Sequence, residues 1–174
     1  MSQNINALEQ LHYRKAALDD LEEIYSLVAH AVDVMVSQNI LQWDEIYPKK
    51  EDFRTDINKH QLYVGLIGGQ IAVVFALNQE CEEEYKNGRW KHPNVPFYIV
   101  HRLCVSPDFQ NQGIAKRTLL YIEETLLKKD IHAIRLDAFC NNPYSLKLYD
   151  SLHYSRVGYA DWRKGRFYLM EKYF

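Results

Sequence analysis

The sequence predicts a mixed α/β fold with a mostly antiparallel sheet of six or seven strands and about four helices. Two β-rich runs, 62–67 and 71–78, are separated by Gly68-Gly69-Gln70, and a Gly-Gly turn between such runs marks an antiparallel hairpin. A strand at 97–105, a helix after Gly113 and a strand at 131–139 form a crossover unit, which makes that strand pair parallel. Two further runs, 155–159 and 167–173, close the chain as a second antiparallel pair around a turn at 161–165.

The elements follow in order. Residues 12–16 read as a short opening strand. After it, Leu21, Ile24, Leu27 or Val28, Ala31 and Met35 recur at helical spacing, and Asp19, Asp20, Glu22 and Glu23 sit where a helix dipole favours negative charge. A helix over 18–38 is the result. Residues 39–48 have no clear period and form a loop with large side chains, and 51–60 resumes a helical pattern. Residues 80–96 are polar and irregular. The helix after Gly113 runs to about 129, and the last spans 143–152, with Pro143 suited to a first helical position.

Composition narrows the function classes. With 174 residues, 47% of them hydrophobic, the chain can bury one core, so a single domain over 1–174 is expected. A net charge of -2 gives no phosphate-neutralising excess, so no nucleic-acid partner is expected. Residues 1–10 lack the apolar centre of a signal peptide, and the longest apolar run, 71–77, is too short to cross a bilayer. A cytoplasmic protein with no membrane partner follows as the expectation, homodimerisation being left open. Cys81, Cys104 and Cys140 lack metal-ligand spacing and read as reduced core thiols, and no histidine pairing argues for a metal.

The strongest chemical signal is the passage from strand to helix over Leu103, Cys104, Val105, Ser106, Pro107 and on to Lys116. The first N–H groups of a helix lack intrahelical acceptors and carry the positive end of its dipole, so they form a cradle for a phosphate. Gly113 allows a ligand close to the backbone. With a single glycine in this turn, the stretch is neither a P-loop nor a dinucleotide fingerprint, and the 68–69 hairpin further disfavours a doubly wound nucleotide-binding fold.

Val105, Pro107, Gln110, Gly113 and Ala115 resemble the pyrophosphate-binding signature of the GNAT-type N-acetyltransferase superfamily, with Gln110 where arginine is usual and Ala115 where glycine is usual. Downstream, Asn142, Ser145, Leu148-Tyr149 and His153-Tyr154 resemble the family's second motif, with His153 in place of a glycine. The resemblance implies a GNAT-like sheet whose central parallel pair, 97–105 and 131–139, splays apart to receive acetyl-coenzyme A. It places Leu103, Cys104 and Val105 along the pantetheine arm, a strand N–H at the thioester carbonyl, Gln110, Asn111, Gln112, Gly113, Ile114, Ala115 and Lys116 around the pyrophosphate, and Asn142 beside the cofactor. It further implies direct acetyl transfer to a primary amine, small-molecule or peptide, without a covalent acetyl-enzyme. A coenzyme-A-binding module without catalysis is the alternative.

The same resemblance directs Tyr149 at the coenzyme sulfur, where a phenol of ordinary pKa about 10 can protonate the departing thiolate, whereas spacing alone reads it as a core aromatic. His101 alternates with Leu103 and Val105, which period two places on one face. An imidazole of ordinary pKa about 6.5 is suited to take the acceptor's proton, directly or through water, the other reading being a structural histidine. Trp43, Asp44, Glu45 and Tyr47 fall where the family walls its acceptor pocket, so Trp43 and Tyr47 are candidate substrate contacts. The acidic residues Asp44, Glu45 and 80–84 suggest a cationic acceptor, or else solvated surface.

Overall fold

The computed structural model describes residues 10–174, and the polar start of the chain lies outside them but for its last residue. The strands are β1 (His12–Lys15), β2 (Leu62–Ile67), β3 (Gln70–Asn78), β4 (Phe97–Val105), β5 (Ala133–Phe139), β6 (Ser155–Trp162) and β7 (Gly165–Tyr173). They form one seven-stranded sheet in the order β1-β2-β3-β4-β5-β7-β6. Only the β4–β5 contact is parallel; the other five are antiparallel. The glycine hairpin pairs Ile67 with Gln70 across Gly68 and Gly69, whose φ values of 57° and 82° suit a primed two-residue turn.

Helices α1 (Leu21–Ser37) and α2 (Lys50–Asn58) cover one face. Ile24, Leu27, Phe53 and Ile57 pack there on Val64, Val74 and Ala76. Helix α3 (Ile114–Leu127) and helix α4 (Pro143–Ser151) cover the other. Leu119, Ile122, Leu126 and Leu152 meet Phe75, Leu77, Ile134 and Leu136 there. Each such side chain taken fully out of water contributes roughly 1.5–3 kcal/mol, so period-two strands dictate two helical layers.

All four helices end in the same way. Asn39, His60, Asp130 and His153 adopt left-handed backbone, with φ between 56° and 66°. The residue after each donates its N–H five positions back, as Ile40 does to Met35 and Tyr154 to Tyr149. This closure satisfies the last carbonyls and favours glycine at the left-handed position, yet none of the four is a glycine. The helices therefore stop slightly short of the ends expected from periodicity. At the start of α1, residues 18–20 make a separate tight turn in which the Asp20 carboxylate accepts the Ala17 N–H at 2.7 Å.

Candidate active site

Beyond the Ile99–Arg135 register β4 and β5 no longer pair, and the sheet opens into a wedge. A cavity of about 630 Å³ fills that wedge, between the end of α1, the first turn of α3 and the face of α4. Gly113 is left-handed at φ 76° and caps α3. Arg117 donates to the Gly113 carbonyl at 3.0 Å, so the N–H groups of Ile114, Ala115 and Lys116 precede the intrahelical ladder and face no carbonyl of their own helix. A Cβ at residue 113 would strain this turn, which gives the glycine a backbone reason beside the ligand one. These donors and a wedge of this size fit a phosphate-bearing ligand with a long arm.

Leu103, Cys104, Val105, Gln110, Asn111, Gly113, Ile114, Ala115, Lys116 and Asn142 all line the wedge, whereas Gln112 is exposed and does not. Asn142 has a structural duty as well. Its Oδ1 accepts the Ser145 N–H at 3.2 Å to cap α4, and its Nδ2 donates to Gln42 at 2.9 Å, holding the loop after α1 against the cavity.

A second cavity, of about 620 Å³, meets the first at Gln42, Trp43, Leu103, Asp137 and Tyr149, which line both. Tyr149 is buried, and its hydroxyl has no hydrogen-bond partner among the described residues. Burial, with a smaller contribution from Asp137, drives its pKa upward, so the phenol holds its proton at neutral pH. Asp137 accepts the Tyr85 hydroxyl at 2.7 Å on Oδ2. Burial raises its pKa to about 6, and the Tyr85 bond acts against that rise.

A splayed parallel pair, a helix N-terminus at its mouth and an α4 tyrosine at the junction of two cavities form one constellation. Residues 35–154 match the acetyltransferase (GNAT) family. The chain belongs to the GNAT acetyltransferase family. Solved structures agree on the fold: a GNAT acetyltransferase from Streptococcus agalactiae superposes at TM-score 0.83 with 23% identity, covering 94% of this chain and 95% of the other. The PaiA N-acetyltransferase of Thermoplasma acidophilum, solved with coenzyme A, gives 0.70 at 18% identity over 94% and 99%. YncA of Salmonella typhimurium, a protein solved with acetyl-coenzyme A, gives 0.66 at 14% over 94% of both. No curated protein matches the sequence.

Within this GNAT domain, His101 does not share a face with Leu103. Strand β4 carries one extra residue where Val74 pairs with Cys104 and Ala76 with His101, and Arg102 takes a left-handed φ of 51°. The bulge breaks the period of two. Leu103 packs against the cluster of Val100 and Leu119, while His101 reaches Asn78 and Glu80 and Arg102 reaches Asp56 of α2. The His101 Nε2 lies 3.0 Å from Asn78 Oδ1 and 2.9 Å from the Glu80 carbonyl; both are acceptors, so Nε2 carries hydrogen. Burial, then the Arg102 charge, lowers its pKa to about 4. The imidazole is therefore neutral at physiological pH and a weaker base than its ordinary pKa promises.

Trp43 lines both GNAT cavities and Tyr47 the second, whereas Asp44 and Glu45 line neither. Asp44 is consumed by Arg163 at 2.7 and 2.8 Å and Lys164 at 3.2 Å, pairs that hold its pKa well below the usual range. Glu80 pairs with Lys59 at 2.9 Å. The acidic mouth is thus partly neutralised. Of the cysteines only Cys104 is a core thiol, and burial pushes it up to about 12, while Cys140 is half-buried and Cys81 exposed on the second cavity's wall. Among the described residues no cluster could hold a metal ion, and no helix is long and apolar enough to cross a membrane.

Sequence reasoning missed Asp137. Its signal was present: a carboxylate inside the apolar run 133–139, on the strand that leaves the splayed pair. Period two sets it with Arg135, opposite Leu136 and Ala138.

Proposed function

We propose that this GNAT protein moves the acetyl group of acetyl-coenzyme A to a primary amine by direct attack within a ternary complex. The observation that carries the proposal is the meeting of two cavities at Tyr149 and Asp137. Acetyl-coenzyme A in the wedge supplies the activated acetyl group. The free N–H groups of Ile114, Ala115 and Lys116 would hold its pyrophosphate, and the unpaired edge of β4 at Leu103 to Val105 would hold its arm, as an added strand is held. A β4 backbone N–H on that edge is suited to polarise the thioester carbonyl.

The amine enters through the second cavity, past Trp43 and Tyr47. Asp137, ionised above about pH 6, takes the proton that an ammonium must lose before it attacks. Neutral His101 contributes its half-buried ring to the wall and is the weaker candidate for that proton. Tyr149 gives its proton to the departing thiolate. No covalent acetyl-enzyme is needed, since the Cys104 thiol is held protonated. The free cysteines accord with a cytoplasmic setting.

The test couples calorimetry with coenzyme A to thiol release from acetyl-coenzyme A over a panel of amines, with the acetylated amine identified by mass. Binding with amine-dependent thiol release and an N-acetyl product is the expected result. Binding without turnover on any amine would instead favour a coenzyme-A-binding module.

A further inference from the structure

We propose that the acceptor amine bears an anionic oxygen group, carboxylate or phosphate, and that Arg102 receives it; the inference rests on the acetyl-transfer reading above. The β4 bulge is the first observation. A regular strand would point residues 101 and 102 to opposite faces, but at the left-handed turn Arg102 reaches Asp56 of α2, and residues 100–103 in succession line the second cavity. A bulky residue in this conformation carries strain that the surroundings must hold in place.

The second observation is the unfinished bonding of the guanidinium. Its Nε donates to Asp56 Oδ2 at 2.9 Å, its Nη2 donates to the same oxygen, and its Nη1 donates to the Tyr47 hydroxyl at 2.9 Å. Five N–H groups are available and three are used. The contacts to Asp56 fall on one oxygen, so the pair lacks the two-oxygen fork of a purely structural bridge. One N–H on Nη1 and one on Nη2 remain, on a side chain 13% exposed beside the cavity. Tyr47, its oxygen already accepting, retains its own O–H to donate. Two guanidinium hydrogens and a phenol make a receptor for paired oxygens.

Three cations, Arg102, Arg163 and Lys164, line this cavity together with five carboxylates, Asp52, Glu80, Glu82, Glu84 and Asp137. Recognition of the anion therefore rests on the two free guanidinium N–H groups and the Tyr47 hydroxyl, not on a net positive wall. A cavity with both signs of charge suits an amine that also carries an anion.

The test compares matched acceptors on the wild-type protein: lysine against cadaverine and lysinamide, and phosphoethanolamine against ethanolamine. The expected result is a kcat/KM at least tenfold higher for the anionic member of one set, and which set responds tells carboxylate from phosphate. In Arg102→Met, KM for that anionic amine should rise tenfold or more while its neutral partner is unchanged, and Arg102→Lys should recover part of the loss. Equal use of the members in both sets overturns the Arg102 receptor alone, and so does an Arg102→Met loss equal for both members. Failure of every amine with a protein that still binds coenzyme A overturns the acetyl-transfer reading, and this inference with it. The wild-type comparison decides the matter even if the variants do not fold.

Discussion

The Tyr85 hydroxyl donates a 2.7 Å hydrogen bond to the Asp137 carboxylate, and it reaches that carboxylate from a short 3-10 turn, Glu83–Asn87, within the segment expected to be irregular, on the side of the second cavity. The bond favours the ionised carboxylate while burial opposes it, and the balance leaves the pKa at about 6. If Asp137 is the base, kcat/KM should climb through pH 6 beneath the limb contributed by the amine itself. Asp137→Asn should lower kcat about 10²–10⁴-fold and erase the lower limb. Tyr85→Phe removes the donor that favours ionisation, so it should move the limb to higher pH. Rate–pH profiles of the three proteins check this, and a limb unmoved in both variants would assign the proton to another group.

Stability should respond with the opposite sign. A carboxyl whose pKa is raised on folding binds its proton more tightly in the native state, so its contribution is full below the unfolded value of 3.8 and lost as pH rises through about 6. Asp137→Asn should therefore gain in Tm relative to wild type as pH increases from 4 to 7.5. Calorimetric melts across that range measure the difference, and a constant offset would mean that Asp137 titrates normally.

Tyr149 is the group proposed above to protonate the thiolate. Removing its hydroxyl takes away an interaction made only as the thiolate departs, so Tyr149→Phe should lower kcat by roughly tenfold to a thousandfold with coenzyme A affinity unchanged. Stopped-flow or steady-state turnover beside calorimetry separates the two quantities. Wild-type turnover would reduce the residue to packing against Tyr154, whose ring lies 5.6 Å away at 61°.

The succession of strands and helices along the chain, the glycine hairpin and the strand-to-helix turn at Gly113 were legible because each rests on local chemistry: alternation, two glycines in tandem, one glycine opening a helix. The parts that were not legible depend on departures from local rules. A one-residue bulge at Arg102 re-aims His101 and Arg102, and no glycine or proline marks it. Helix ends lacked their usual glycine because Asn39, His60, Asp130 and His153 occupy the left-handed positions. Neutralisation of Asp44 by Arg163 and Lys164 spans more than a hundred residues of sequence, which charge patterning along the chain does not reach.

Gly113 combines a left-handed φ of 76° with a place on the wall of the wedge, where the proposed phosphate cradle begins. An alanine there strains the turn and places a methyl group near the ligand path, so Gly113→Ala should weaken coenzyme A binding at least tenfold. The far-UV spectrum should stay that of the wild type, because the turn sits ahead of α3 and outside the cores. Unchanged affinity by calorimetry would remove the pyrophosphate from this turn.

His153 offers a test of how the fold holds Tyr149. The His153 N–H donates to Asp150 at 3.1 Å and the Tyr154 N–H to Tyr149 at 3.0 Å, a paired closure of α4 in which the residue at 153 must be left-handed, here at φ 66°. The second motif of the resembled family has glycine at this place, and the backbone explains why: a side chain in this conformation costs about 1 kcal/mol. The His153 side chain is exposed, so little packing is lost with it. His153→Gly should accordingly stabilise the protein by about 1 kcal/mol in urea unfolding, with the greater chain entropy of glycine reducing the gain. Because the closure positions Tyr149 and Tyr154 rather than creating them, kcat should stay within about twofold of wild type. A destabilised variant would show that the His153 side chain makes a favourable contact that outweighs its backbone strain.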